Sequence, residues 1–99
     1  MGPGLGNHVA ISAAYALLKS DYLVAVDTTA NVRVTLPASS SVSDGKIYVI
    51  KDSTGNAATK TITIAADGSD TIEGAATKTI TADYGSTTLF ISGTKWLTM

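Results

Sequence analysis

The chain has 99 residues, a formal net charge of -1 at pH 7 and no cysteine, which excludes disulfide bonds and thiolate metal sites. A chain of this length forms one domain with one small core. Because the net charge is close to zero, no long-range field attracts phosphates or anionic lipids, and we predict neither a nucleic-acid partner nor a membrane partner.

The N-terminal segment is rich in glycine and carries the single histidine, His8. Without a second imidazole or a thiol, His8 lacks the partners of a zinc site, and we expect no Ser-His-Asp triad. We predict a flexible arm or docking peptide over residues 1–13, followed by a single all-β domain over residues 14–99. The candidate docking residues of the arm are Gly2, Pro3, Gly4 and Leu5.

Residues 9–20 contain several good helix formers, and a weak apolar helical face can be drawn through them. Against a helix, Tyr15 and Leu17 alternate with Ala16 and Leu18, as side chains do along a strand. The residues 19–21 that follow can turn this run back onto the next one. We therefore predict a strand.

Two β-branched runs come next, at residues 22–27 and 32–36, and Pro37 ends the second because proline donates no ladder hydrogen bond. The four polar or small residues between the two runs suit a short connection. The sequence therefore predicts a hairpin over residues 22–36.

The run at residues 46–52 is almost continuously apolar between two lysines, which is typical of a strand covered on both faces. We expect this strand to lie at the centre of a sheet. Further runs, separated by turn residues, occupy residues 61–65, 70–73, 77–81, 86–92 and 95–99. The pattern predicts an all-β fold, a small antiparallel β-sandwich or barrel-like module of about eight short strands.

The heptapeptide AATKTIT occurs twice, at residues 57–63 and 75–81. Two copies could mark rungs of a β-solenoid, in which each rung contributes a short strand. Alternatively, the sequence Thr-x-Thr-Ile-Thr is a half-buried strand with threonine on the wet face and one buried isoleucine. We favour the second interpretation, because about three repeats are needed before stacked rungs bury a continuous core.

Three carboxylates lie close together in Asp67, Asp70 and Glu73, and such a group could bind calcium or act as a glycosidase pair. Their spacing fits no calcium loop, and no neighbour is apparent that would separate their pKa values. Acidic residues are also common in turns for backbone reasons. We therefore predict no catalytic residue, no metal site and no cofactor, and we expect that the chain is not an enzyme.

The aromatic residues Tyr48, Tyr84 and Trp96 could together stack against a sugar ring. However, a lone tryptophan next to a C-terminal strand more often belongs to a core or a subunit contact. Aromatic residues make up only 6% of the chain, which is low for a dedicated lectin.

Taken in order, a series of short motifs resembles a β-structured module of tailed-bacteriophage tail fibres, tailspikes and related virion proteins. The resemblance covers most of the chain and implies an all-β, non-enzymatic, homotrimeric element of the virion. The motifs are DYLVAVDTT (21–29), VRVTLP (32–37), GKIYVIKDSTGN (45–56), ITI (62–64), DTIEG (70–74), YGSTTL (84–89) and Trp96.

If the chain is complete, its length fits a capsid decoration (cement) protein or a short fibre module better than a long fibre. The resemblance then implies two kinds of partner, namely other copies of the chain in a homotrimer and the major capsid protein or another virion protein. The alternative function is that of a receptor-binding tip module of a tail fibre, with a cell-surface glycan of the host as its ligand.

A trimer would bury additional apolar surface and cover the edges of the sheets. Strands that carry apolar residues on both faces have two surfaces to bury, and we expect these strands to form the interface. The candidate interface residues are Tyr22, Val24, Tyr48, Ile50, Phe90 and Trp96.

Overall fold

The structure is a computed structural model, and it describes residues 7–99. These residues form ten strands and one 3-10 turn at Ser39–Ser41. Most strands follow from β-branched and aromatic residues that alternate between a buried and an exposed side. The strands are β1 (Asn7–Ile11), β2 (Tyr15–Ala16), β3 (Asp21–Val26), β4 (Val32–Thr35), β5 (Ile47–Asp52), β6 (Ile62–Ala65), β7 (Thr71–Ile72), β8 (Thr77–Ile80), β9 (Ser86–Ser92) and β10 (Lys95–Thr98).

The strands form two sheets, and the predicted all-β class is confirmed. The large sheet has six strands in the order β1-β3-β5-β9-β10-β7, and the small sheet has four in the order β2-β4-β6-β8. Strand β5 lies between β3 and β9, so the prediction of a central strand at residues 46–52 is also confirmed.

The first six strands alternate between the two sheets, as the successive coils of a solenoid do. β1, β3 and β5 pair in parallel in the large sheet, and β2, β4 and β6 pair in parallel in the small sheet. β2, β3, β4 and β5 are thus each the crossover connection between two parallel strands of the other sheet. Among the described strands, antiparallel pairs are β5 with β9, β9 with β10, and β6 with β8. The prediction of an antiparallel module was therefore wrong for the pairs among the first six strands.

The predicted hairpin over residues 22–36 was wrong for a related reason. β3 and β4 belong to different sheets, and the loop between them bonds to the next coil instead of closing on itself. Thr28 is fully buried, its N–H donates to Thr54 Oγ1 (2.8 Å), and its own Oγ1 donates to Asp52 (2.7 Å). These bonds hold the loop against the loop that follows β5.

The N-terminal boundary also differs from the expectation. Residues 7–11, which the sequence placed in the arm over residues 1–13, form β1 and pair with β3 at the edge of the large sheet. Residues 15–16 form β2, so the preference for strand over helix in residues 9–20 is confirmed. The docking residues Gly2, Pro3, Gly4 and Leu5 lie outside the described residues.

The hydrophobic core lies between the inner faces of the two sheets. At its centre the Tyr48 and Trp96 rings pack with centroids 5.6 Å apart, and both side chains are fully buried. The larger buried apolar residues are Leu17, Val24, Val26, Val32, Val34, Leu36, Tyr48, Ile50, Ile62, Ile64, Ile72, Ile80, Leu89, Ile91 and Trp96.

The repeated heptapeptide contributes to two neighbouring strands of the small sheet, as we predicted. β6 and β8 run antiparallel, and Ile62 of the first copy lies directly opposite Ile80 of the second. Both isoleucines are buried, so the pair is a cross-strand contact of the core. Successive rungs would be parallel, which excludes the solenoid-rung interpretation of the repeat.

Candidate functional site

The outer face of the large sheet is largely apolar. Along β3, β5, β9 and β10 the residues that alternate with the core residues include six aliphatic or aromatic ones, together with polar residues such as Thr88 beside Val49 and Lys51 beside Ala25. Strand pairing sets Leu23 beside Val49, and sets Phe90 between Ile47 and Leu97. We call this surface the apolar face, and it comprises Leu23, Ala25, Ile47, Val49, Phe90 and Leu97.

One part of the apolar face is slightly concave. A depression of about 190 Å³ lies over β3 and β5, and its lining includes His8, Leu23, Val49 and Lys51. Leu23 is 39% exposed, while Val49 is half-buried by its neighbours. His8 is therefore an exposed residue of β1 at the border of this surface, and not a residue of an arm.

The outer face of the small sheet has the opposite character. Its strands present one row of Arg33, Thr63 and Thr79 and another that includes Thr35 and Thr77. Threonine on an exposed strand favours the pleat and hydrogen-bonds to water. The chain therefore has one sheet surface suited to water and one that is largely apolar.

Most of the predicted interface residues belong to the core of a single chain. Val24, Tyr48, Ile50 and Trp96 have at most 1% of their surface exposed, so they do not face a neighbouring chain. The list in the sequence analysis is wrong for these four residues, because they lie on the inner side of strands whose outer side is also apolar. The partly exposed residues of that list are Tyr22, at a register shift between β1 and β3, and Phe90, on the apolar face.

Tyr48 has both its ring and its hydroxyl group accommodated within a single chain. Its hydroxyl donates to the Leu18 carbonyl oxygen (2.9 Å), and burial raises its pKa to about 12. The ring packs against Trp96, and Lys46 Nζ lies 4.8 Å from the ring centroid. With Tyr48 and Trp96 both buried, the three aromatic residues do not form a sugar platform, and Tyr84 alone of the three is exposed.

The loops at one end of the molecule converge on the buried carboxylate of Asp52, the last residue of β5. Its Oδ1 atom accepts hydrogen bonds from Thr28 Oγ1 (2.7 Å) and from the N–H groups of Thr54 (3.1 Å) and Gly55 (2.9 Å). From the sequence, Asp52 was predicted only as the last residue of a strand. An acidic residue directly before the turn sequence STGN was the signal that could have indicated its role.

The second oxygen of Asp52 extends this network to a third loop. Oδ2 accepts from the N–H groups of Ala57 (3.0 Å) and Tyr84 (2.9 Å). The carboxylate thus joins the loops that follow β3 and β5 to the turn that precedes β9. Burial by itself would raise the pKa of Asp52, but hydrogen bonds hold it well below its usual range; the donors are Thr28, Gly55, Tyr84 and Ala57.

This pKa predicts how stability depends on acid. The pKa of Asp52 is depressed on folding, so its contribution is complete above the unfolded pKa of about 3.9 and is lost as the pH falls below that value. Below about pH 3.9 we expect the free energy of unfolding to fall more steeply with acid in the native chain than in Asp52→Asn, by up to about 1.4 kcal/mol per pH unit. Urea unfolding between about pH 5 and pH 2.5 measures both slopes. Equal slopes would contradict this role of the carboxylate.

The three carboxylates of the 67–73 segment do not form a common site. Asp70 accepts hydrogen bonds from the N–H and the hydroxyl of Ser39, both at 2.8 Å, and Glu73 accepts from the N–H (3.0 Å) and hydroxyl (2.8 Å) of Thr98. Each of these acids fastens a different part of the chain. Within residues 7–99, no three ligating side chains come together as a metal site would require.

Comparisons with models of protein families and with curated proteins gave no match. Within the part of the chain that the structure describes, no helix has the length and hydropathy needed to cross a membrane. The geometry of the described residues is therefore the basis for assigning a function.

Proposed function

We propose that this chain is a non-enzymatic structural protein of a tailed-bacteriophage virion, which associates as a homotrimer and serves as a capsid decoration protein or a short fibre module. The ordered motifs of the sequence support the phage assignment, and the observation that carries the proposed association is the contrast between the apolar face and the threonine-covered outer face of the small sheet. A contiguous apolar surface of this kind is typical of a site of protein association.

The arrangement of the apolar face favours association with other copies. Its six members come from four adjacent strands of one sheet, so they form a continuous and rigid surface. Their charged neighbours Lys51 and Lys95 lie at the ends of strands or next to them. In a cyclic trimer each chain would turn this face toward its neighbours, leaving the small sheet in contact with water or with a larger virion protein.

Replacing Leu23 and Val49 together by threonine is expected to weaken self-association about tenfold or more, because two aliphatic side chains no longer leave water in the complex. Threonine is β-branched and favours strands, so the strands should still form. The measurement is a concentration series by analytical ultracentrifugation of the native chain and the variant.

The matched control changes two outward residues of the small sheet, with Thr63→Ser and Thr79→Ser in one chain. This variant should associate as the native chain does. A native chain that remains monomeric at high concentration, or a control that dissociates as readily as the double threonine variant, would contradict the proposal.

The location in the virion is a separate question with its own measurement. Quantitative mass spectrometry of purified particles should find the chain at hundreds of copies if it decorates the capsid, and at a handful if it belongs to the tail. Absence from the particles of a phage that expresses it would overturn the structural role.

A further inference from the structure

Tyr84 has a backbone conformation that is unusual for a tyrosine. Tyr84 is the third residue of a four-residue turn closed by a hydrogen bond from Gly85 N–H to the Ala82 carbonyl oxygen (2.8 Å). Its φ is 57, in the left-handed region, where a bulky side chain is disfavoured and glycine or asparagine is usual. Turn geometry therefore does not explain an aromatic residue here.

The Tyr84 backbone is held in this conformation from both sides. Its N–H donates to Asp52 Oδ2 (2.9 Å), and its carbonyl oxygen accepts from Lys51 Nζ. Strained residues of this kind persist only where the surroundings fix them, and they are concentrated at ligand-binding sites.

The ring is fixed as well, since it lies against Gly55. A Cβ atom built on Gly55 would be only 2.5 Å from Tyr84 Cε2, so a side chain there would displace the ring. Gly55 also has a φ of 86, which again excludes most other residues. Even so, Tyr84 is 57% exposed, which leaves much of its ring open to solvent.

The chemistry around the ring is polar. Asp83 precedes Tyr84 and Asn56 follows Gly55, and both are exposed. Asp83 Oδ1 accepts from the Ala58 N–H (3.0 Å), which orients the carboxylate. The Asp83 carboxylate disfavours an anionic ligand, and the Asn56 amide and the Tyr84 hydroxyl disfavour a purely apolar one.

We propose that this end of the molecule binds a neutral saccharide, with a pyranose ring stacked on the open surface of Tyr84 and its hydroxyls bonded to Asn56 and Asp83. The face of an aromatic ring carries negative potential, which suits the C–H groups of a sugar. The Asn56 amide can donate to and accept from sugar hydroxyls, and the Asp83 carboxylate can accept from them. Because the turn is already fixed, little conformational entropy is lost on binding.

The test uses the full chain and saturation-transfer NMR with the methyl glycosides of glucose, galactose, mannose and N-acetylglucosamine at millimolar concentration. At least one glycoside should bind, with transfer to the sugar ring protons. The Tyr84→Asn variant should bind it at least tenfold more weakly, because asparagine accepts a positive φ but offers no ring. The Tyr84→Phe variant keeps the ring and should bind within a few-fold of the native chain.

Thermal unfolding separates recognition from folding. Tyr84→Asn should melt within about 3 °C of the native chain, since it relieves strain while it removes a contact with Gly55. Failure of the native chain to bind any glycoside on the same samples, or undiminished binding by Tyr84→Asn, would overturn the proposal. So would loss of self-association in Tyr84→Asn without any effect on sugar binding, which would make the ring a protein contact. None of these outcomes depends on the apolar face being an interface.

Discussion

The Asp52→Asn variant is expected to lose about 3 kcal/mol or more of its free energy of unfolding. An asparagine keeps one oxygen acceptor but replaces the other by an NH₂ donor. That donor would face the N–H groups of Ala57 and Tyr84, which donate to Oδ2 of the carboxylate. One buried and one partly buried donor then lose their acceptor, and the loops at this end of the molecule are no longer held by one carboxylate. Urea unfolding at neutral pH measures the difference.

Asp27→Asn is the matched control for this substitution. The Asp27 carboxylate, which lies one residue beyond the end of β3, accepts an exposed hydrogen bond from the Thr29 N–H (2.9 Å). Its replacement should change stability by no more than about 0.5 kcal/mol. A loss in Asp27→Asn as large as that in Asp52→Asn would show that aspartates at this end act through charge and not through the buried network.

The second large effect is expected for Trp96→Ala, at about 3–5 kcal/mol of lost stability. Trp96 is fully buried and packs on the Tyr48 ring, so truncation leaves a cavity between the two sheets. Trp96→Phe should be milder, because it keeps an aromatic ring and removes an indole N–H that has no hydrogen-bond partner among the described residues.

The burial of Trp96 within one chain also predicts that the loss of stability does not depend on self-association. Denaturant unfolding of dilute, dissociated chains should already show the full loss in Trp96→Ala, since the contacts that disappear lie within one chain. If the variant instead unfolded as the native chain does and only its self-association failed, Trp96 would be an interface residue, as its sequence context suggested.

Strand positions were largely predictable from the sequence, since every strand from β3 to β10 overlaps a predicted run. The alternation of apolar residues records which segments can be half-buried. It does not record which strands pair, because β3 and β4 would present the same alternation in a hairpin and in two facing sheets. Bonds from Thr28 to residues that are distant in sequence decide between these arrangements.

The sequence also did not determine which side chains of β3 and β5 point toward the core and which point outward. β3 and β5 are apolar on both sides, so either Val24 or Leu23, and either Ile50 or Val49, could point outward. Successive side chains of a strand point to opposite faces, so an error of one residue moves a whole set from the surface to the core. The expectation that these strands have two apolar faces was confirmed, but most of the residues assigned to the outer face were the inner ones.

The repeated heptapeptide shows that the sequence of a short segment does not determine its local conformation either. Ala57 of the first copy is fully buried in a turn and donates its N–H to Asp52. The equivalent Ala75 is exposed and forms an isolated bridge with Ile72. Identical residues therefore adopt different structures, and the Ala57 N–H bonds to the Asp52 carboxylate whereas the Ala75 N–H bonds to the Ile72 carbonyl oxygen.

The order of strands in the large sheet has a consequence for biosynthesis. β5 links the parallel strands to the rest of that sheet, and its second neighbour is β9. Among the strands of residues 7–99, β9 and β10 are the only two that are consecutive in the chain and neighbours in a sheet. A nascent chain emerging from the ribosome would expose β3 and β5, apolar on both sides, until nearly all of it had been translated. Distant pairing of this kind slows folding to milliseconds or longer, and during that interval chaperones and newly made sister chains compete for the same strands.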